Sequence, residues 1–219
     1  MRAPSCPLLL LVPTPLEQRA LAELGGWNGL PALELCGFGP VSAAARTAQL
    51  LAERRPRRVA LVGLAGALRE QPLGSALEFA RVRLDGIGAG VGEAFAPASR
   101  LGFPLWEDGA AGRVEETLEL ALEPSAGLAR EPGELLTVCA ASADASEARF
   151  RRARYPAAVA EDMEAFGVAL ACRLFGTELL VVRGLSNRSG ERDPARWRVR
   201  EALAAARTLL LARISAERA

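Results

Sequence analysis

Residues 178–193 read ELLVVRGLSNRSGERD, an apolar run that leads straight into a string of polar groups. The run predicts a buried strand, and in open α/β sheets ligands bind just beyond the carboxyl ends of such strands. A solvated loop is the simpler interpretation of the polar part. Arg183 argues against it, because it still lies within the apolar run, where an unpaired guanidinium is rarely tolerated.

Strand-like and helix-like patterns alternate along the rest of the chain. Runs typical of strands cover residues 8–12, 32–36, 58–64, 77–84, 135–139 and 178–185. Helical periodicity covers residues 16–24, 41–54, 145–154, 163–175 and 194 to about 218. This alternation predicts a three-layer α/β/α sandwich with a central mixed sheet. Because the 219 residues contain no repeat and no low-complexity linker, we expect a single domain over residues 1–219.

The pattern is weakest between residues 85 and 126. The four glycines from Gly86 to Gly92 predict a long loop or lid, since their spacing does not fit the GxGxxG motif of a dinucleotide site. A modest helix is expected at Val114–Leu122. The sequence Gly37-Phe38-Gly39 is interpreted as a tight turn.

Composition excludes several classes of chemistry. All 27 basic residues are arginine and histidine is absent, which rules out lysine Schiff bases, Ser-His-Asp and Cys-His catalysis, and nearly all zinc sites. The formal net charge is +1 and the arginines are dispersed, so no nucleic-acid partner is expected. We expect neither a metal nor an organic cofactor.

The start of the chain and its cysteines bear on location. The apolar run Leu8–Val12 is too short for a signal segment and is flanked by prolines, so it predicts a first buried strand. No stretch is long enough to cross a membrane. The four cysteines lie far apart without a CxxC pair and are interpreted as reduced fillers (Cys6, Cys36, Cys139 and Cys172). These features predict a cytoplasmic protein.

Three carboxylates, Glu161, Asp162 and Glu164, stand at the start of the helix predicted at 163–175. Capping and complementation of the helix dipole account for Glu161 and Asp162. Glu164 heads an apolar segment, residues 165–174, that must be largely buried on both faces. A buried carboxylate without a partner is unfavourable, so Glu164 is expected to have a partner or a ligand.

Four motifs in this order resemble the nucleoside phosphorylase superfamily: Glu17 after the first strand, Gly63-x-Ala65-Gly66, Met163-Glu164-Ala165, and the stretch from Val182 to Asn187. The resemblance covers nearly the whole chain. Its nearest match is the branch of methylthioadenosine/S-adenosylhomocysteine nucleosidases and futalosine hydrolases. The loop through Gly190, Glu191, Arg192 and Asp193 to Trp197 resembles the futalosine hydrolase version, which implies a place in menaquinone synthesis.

The resemblance implies cleavage of an N-glycosidic bond, a reaction that builds positive charge on the ribose and negative charge on the leaving base. Glu17 matches the family's general base, which activates water, and Glu164 matches the carboxylate that holds the ribose hydroxyls. Arg183 matches the residue that fixes the water and the glutamates. The remaining residues expected to bind substrate are Ala65, Gly66, Ala141, Ser142, Asp162, Met163, Ser186 and Arg192.

Asn187 is expected to select the base. The adenine-cleaving members carry Asp here, whereas an amide offers a donor and an acceptor together and so suits a 6-oxopurine such as hypoxanthine. For the carboxyphenyl tail of futalosine, Arg188 or Arg192 could supply a cationic partner. The family often stacks an aromatic ring on the purine where this chain has Ala140-Ala141-Ser142, so the ring is expected to come from Phe95 or Phe103 in the lid or to be absent.

Hydrolysis is favoured over phosphorolysis, because Leu64 stands where phosphorylases commonly place a Ser or Thr that holds phosphate. Backbone N–H groups at that turn could still bind an anion. The alternatives are an adenosylhomocysteine-type nucleosidase, a purine nucleoside phosphorylase and a catalytically inactive nucleoside-binding module. A homodimer or larger homo-oligomer is expected for a member of this superfamily.

Overall fold

The computed structural model describes residues 8–109, 111–120 and 131–216. The helices of these parts are α1 (Pro15–Glu23), α2 (Pro40–Arg54), α3 (Ala145–Arg154), α4 (Ala165–Phe175) and α5 (Val199–Ala216). The strands are β1 (Leu8–Val12), β2 (Leu33–Leu35), β3 (Arg58–Ala67), β4 (Ala76–Leu84), β5 (Gly88–Ala89), β6 (Ala96–Pro97), β7 (Trp106–Asp108), β8 (Gly112–Val114), β9 (Thr117–Glu119), β10 (Glu131–Thr137), β11 (Ala158–Asp162) and β12 (Glu178–Arg188).

The main sheet is mixed and has the order β11-β10-β4-β12-β3-β1-β2, with β9 paired to β4. β12 runs parallel to β3 over its whole length and antiparallel to β4. β11 also returns to pair antiparallel with the end of β3, where Glu161 and Asn187 are both register partners of Gly66. The sheet therefore curls at one end and brings β11, β3 and β12 together around Gly66.

Helices cover both faces of the sheet, which confirms the predicted α/β/α sandwich. Along β1, Leu9 and Leu11 join the core beneath α2 and α4, whereas Leu8, Leu10 and Val12 join the core beneath α5. Strands buried on both faces have continuous apolar sequences, as β1 and β12 do.

α2 and α4 approach closely because Gly167 lacks a side chain. A Cβ atom there would lie 2.2 Å from the backbone oxygen of Pro40. This contact joins the N-terminal turns of the two helices, and both turns border the site described below.

Most predicted elements are confirmed within one to three residues, but the region from 85 to 126 and the start of α4 differ. β10 also begins four residues before the predicted strand, and α5 begins five residues after the predicted start of the last helix. The helix expected at Val114–Leu122 is wrong for its described part: β8 ends at Val114 and β9 covers Thr117–Glu119, pairing with β4. The glycine-rich segment is partly ordered as the hairpin β5–β6. Glu161 and Asp162 do not open a helix; they end β11, and α4 begins after Glu164.

Some predictions fall outside the described residues: Cys6, residues 121 and 122 of the expected helix, and the end of the last helix beyond Ala216. The other three cysteines are free thiols. Within the described ranges, none of the helices combines the length and the apolar character that crossing a bilayer requires.

Candidate active site

A cavity of about 400 Å³ opens at the carboxyl ends of β1, β3, β11 and β12. Ten of the residues predicted from the sequence line it: Glu17, Ala65, Gly66, Ala141, Asp162, Met163, Glu164, Ser186, Asn187 and Arg192. Arg183 and Ser142 are not among its lining residues; both are buried behind it and contact residues that do line it. The structure thus brings together side chains that are as far apart in sequence as Glu17 and Arg192.

Glu17 is fixed by the start of α1. Thr14 caps the helix, accepting a hydrogen bond from the Glu17 N–H at 3.3 Å, and donates its hydroxyl to Glu17 Oε2 at 2.6 Å. Glu17 Oε1 accepts the Leu64 N–H at 2.9 Å. An acid in the first turn usually serves its own helix. Here the carboxylate instead reaches β3, which places it at the sheet edge.

Arg183 is fully buried and is held by two acids. Its Nη2 lies 2.5 Å from Asp162 Oδ2 and 3.4 Å from Glu164 Oε2. Asp162 is held in turn by the Thr137 hydroxyl at 2.7 Å and by the Ala165 N–H at 2.9 Å. The Asp162 side chain is inaccessible to solvent and pairs with Arg183, while the residue itself borders the cavity, so its contact with substrate stays a prediction.

Gly63 lets Arg183 and Glu17 approach one another. An alanine Cβ at this position would lie 2.3 Å from Arg183 Nη1 and 2.6 Å from Glu17 Oε1. Both atoms therefore border the same small space above β3. Arg183 Nη1 is buried and has no hydrogen-bond partner among the described residues, so it is available to a group held between the two side chains.

Asn187 and Ser186 form the far side of the cavity. The Ser186 hydroxyl donates to Asn187 Oδ1 at 2.7 Å, while Asn187 Nδ2 donates to the carbonyl oxygens of Arg188 at 2.9 Å and Glu191 at 3.4 Å. These contacts fix the orientation of the amide beside Gly66.

Glu161 is a lining residue whose place in the site the sequence did not predict. Its Oε1 accepts the Ser142 N–H at 3.0 Å, and its Oε2 accepts the Ser142 hydroxyl at 2.8 Å and Arg151 Nη1 at 2.9 Å. Ser142 thus orients Glu161, and its contact with substrate stays a prediction. The sequence did not predict the strand β11. Without this strand, nothing in the sequence indicated that the Glu161 side chain borders the cavity.

The aromatic side chains at the cavity are Phe38 and Trp197, among the described residues. Phe38 lies in the segment Gly37-Phe38-Gly39, for which the sequence predicted only a tight turn, and its side chain is 64% exposed. Phe95 and Phe103, the expected stacking residues, do not line the cavity; Phe95 lies under the Arg154 guanidinium. At the mouth, Arg192 stacks on Trp197 with its guanidinium 5.5 Å from the ring centre. The side chain of Arg188 turns away to the Arg69 carbonyl oxygen.

The model of the Phosphorylase superfamily matches residues 21–215 of the chain. Futalosine hydrolase of Streptomyces coelicolor is 36% identical over 188 residues, covering 82% of this chain and 75% of the relative. Futalosine hydrolase of Thermus thermophilus is 34% identical over 215 residues, covering 90% of each. The chain belongs to the futalosine hydrolase family of the phosphorylase superfamily. The resemblance drawn from the motifs is therefore confirmed.

Solved structures share the fold of this futalosine hydrolase family member. Futalosine hydrolase of Helicobacter pylori superposes with a TM-score of 0.72 at 15% identity, covering 95% of this chain and 97% of that one. A 5′-methylthioadenosine/S-adenosylhomocysteine nucleosidase of the same organism gives 0.73 at 15% identity, covering 96% and 98%. At this identity the likeness concerns the fold.

Glu164 is the acid whose protonation the site perturbs most clearly. Burial raises its pKa from 4.5 to about 7; Arg183 opposes this shift and Asp162 adds to it. The Gly39 N–H, at the start of α2, donates to Glu164 Oε1 at 3.2 Å and stabilises the charged form. The family member thus holds a carboxylate that exchanges its proton near neutral pH.

We predict that Glu164→Gln changes the pH dependence of folding stability. Because the folded pKa is raised, the wild-type protein loses stability as the pH rises from 4.5 through 7, and the amide variant does not share this loss. The free energy of unfolding of Glu164→Gln, relative to wild type, should therefore rise by about 2 kcal/mol from pH 5 to pH 8. Urea unfolding at both pH values measures it.

The same change at the exposed Glu93 is the matched control. The assignment is contradicted if the unfolding free energy relative to wild type rises equally from pH 5 to pH 8 in Glu93→Gln, or does not rise in Glu164→Gln.

Proposed function

We propose that this chain hydrolyses the N-glycosidic bond of futalosine, releasing hypoxanthine and dehypoxanthinyl futalosine as a step of menaquinone synthesis. The observation that carries the proposal is the convergence of Glu17 and Glu164 on one cavity that also holds Asn187. The proposal is further supported by relatives named futalosine hydrolase at 34–36% identity. The eight-stranded main sheet, which includes both β1 and β12, supports a single working domain over residues 1–219.

The acids serve the sugar. Glu17 acts as the general base that takes a proton from the attacking water, and Glu164 accepts hydrogen bonds from the ribose hydroxyls while its charge stabilises the cationic sugar in the transition state. Arg183 positions Glu164 from behind and offers Nη1 to the space beside Glu17. Met163, which lies between Asp162 and Glu164 in the sequence, packs against the ribose.

Asn187 serves the base. The longer of its two donor contacts, 3.4 Å to the Glu191 carbonyl oxygen, is the one that a purine oxygen can replace at least cost. The departing hypoxanthine gains electron density at its acceptors, so an amide donor there strengthens its contact as the bond breaks.

Water, and not phosphate, is the acceptor of the glycosyl group. The Leu64 N–H, which could have bound an anion, already donates to Glu17. Four acids line the cavity, Glu17, Glu161, Asp162 and Glu164, and they outnumber the nearby cations, Arg192 at the mouth and Arg183 buried behind it. A phosphate dianion would be repelled from this site.

The mouth of the cavity suits the carboxyphenyl tail. Trp197 offers an apolar face to the phenyl ring, and Arg192, held over that indole, offers two parallel donors to the carboxylate.

We also propose a cytoplasmic homodimer or larger homo-oligomer. Free thiols at Cys36, Cys139 and Cys172 fit a reducing compartment. Exposed apolar side chains such as Val91 and Phe103 are typical of surfaces that another subunit covers.

A substrate panel tests the reaction. The purified protein is incubated with futalosine, inosine and methylthioadenosine, with and without phosphate, and free base is followed by chromatography. We expect hypoxanthine from futalosine at a rate that phosphate does not change. Faster release of adenine from methylthioadenosine, phosphate dependence, or binding without release would each contradict the proposal, in favour of a nucleosidase, a phosphorylase or a binding module respectively.

A separate prediction concerns the tail. Arg192→Ala should raise the KM for futalosine about tenfold, an estimate for a charged contact that solvent partly screens. The KM for inosine, which lacks the tail, should stay the same. The matched control is Arg188→Ala, since Arg188 is exposed and bonded to Arg69. An unchanged futalosine KM in Arg192→Ala, or an equal rise in Arg188→Ala, would remove the assignment.

A further inference from the structure

Glu161 is a buried acid that lines the cavity without a part in the chemistry at the sugar. It is 4% exposed and lies at the end of β11, whereas Glu17 and Glu164 are held by β3 and by the start of α2. Its register partner is Gly66. Glu161 therefore lies across Gly66 from Asn187, at the end of the cavity where the proposed function places the base.

The contacts of Glu161 leave it one unused acceptor position. An ionised carboxylate offers about four lone-pair sites. The Ser142 hydroxyl and Arg151 use those of Oε2, and the Ser142 N–H uses one on Oε1. Arg151 also donates to the Ser142 hydroxyl at 2.7 Å, so the group is locked in one orientation. The remaining acceptor suits a donor on a bound molecule.

Gly66 lies between Glu161 and Asn187, where Ser189 packs closely against its backbone. Both residues pair with Gly66 from opposite sides, which separates their Cα atoms by about 10 Å, two strand spacings. A Cβ atom on Gly66 would lie 2.9 Å from Ser189 Oγ and 3.6 Å from Glu161 Cγ. Ser189 is 8% exposed, and its hydroxyl has no partner among the described residues.

The donor pattern of the base decides which ligand fits. Hypoxanthine carries an N–H at ring position 1, whereas adenine has an unprotonated nitrogen there, which only accepts. A fixed carboxylate satisfies the first and repels the second. Resting on the proposed function, we propose that Glu161 is a specificity-determining residue that accepts the N1–H hydrogen bond of the 6-oxopurine.

The test is the ratio of kcat/KM for futalosine to kcat/KM for its 6-aminopurine analogue. Glu161→Gln keeps the size of the side chain. With its amide oxygen toward Arg151 and the Ser142 hydroxyl, its NH₂ replaces Oε1, loses the bond from the Ser142 N–H and presents a donor to the base. The ratio should fall about 10- to 100-fold, the usual effect of one hydrogen bond to a charged group. Glu161→Asp, which withdraws the carboxylate by one methylene, should lower the ratio in the same direction.

The ratio separates specificity from a structural role. If Glu161 only supported the loop of Ser142, both substrates would lose activity equally and the ratio would not change. The matched control is Glu147→Gln, an exposed acid on α3 that contacts the Ala143 N–H, for which no change in ratio is expected.

The failures of the inference and of the proposed function are distinguishable. A wild-type protein that cleaves the 6-amino compound and not futalosine overturns both. A wild-type protein that prefers futalosine, with the same ratio in Glu161→Gln and Glu161→Asp, overturns the inference alone.

Discussion

The fully buried guanidinium of Arg183 is the constraint around which the site is built. A charge in this position needs opposite charges, and removing one partner of a buried pair costs about 3–5 kcal/mol. Asp162 and Glu164 supply them, which ties the middle of β12 to the end of β11 and the start of α4. Gly63, without a side chain, leaves the room that brings Glu17 to the same place. The positions of the acids thus follow from the need to satisfy one cation.

The same arrangement explains why the site suits a cationic sugar. Burial raises the pKa of Glu164 to about 7, Arg183 opposes this rise, and the charges of Asp162 and Glu17 add to it. The cost of this charge repulsion falls away when positive charge develops on a sugar held between Glu17 and Glu164. The destabilised ground state therefore favours the transition state of glycosidic cleavage. In the proposed function the base meets different groups, the Asn187 amide and the Glu161 carboxylate, which its donors hold in one orientation.

The sequence predicted the parts of the fold whose hydrophobic periodicity was strong. The continuous apolar runs of β1 and β12 and the amphipathic α2 and α3 were placed within a few residues. Val114–Leu122 was assigned to a helix because short strands carry little periodicity, and their pairing with β4 is a long-range contact. Glu17, Glu164 and Asn187 were predicted through motif order. Glu161 was not, because its side chain becomes part of the site only when β11 curls back onto β3. The sequence also did not predict that Asp162 pairs with Arg183 and accepts a hydrogen bond from Thr137, because neither residue is near it in sequence.

The central claim is that acids 147 positions apart act on one reacting centre, and the kcat/KM of Glu17→Gln, Glu164→Gln and the double variant for hypoxanthine release tests it most directly. Groups that act as a unit show strongly non-additive losses. We expect each single change to lower kcat/KM by about 100-fold or more. The kcat/KM of the double variant should be only a little lower than that of the less active single variant. Losses that multiply in the double variant, or a single variant within about threefold of wild type, would contradict the account.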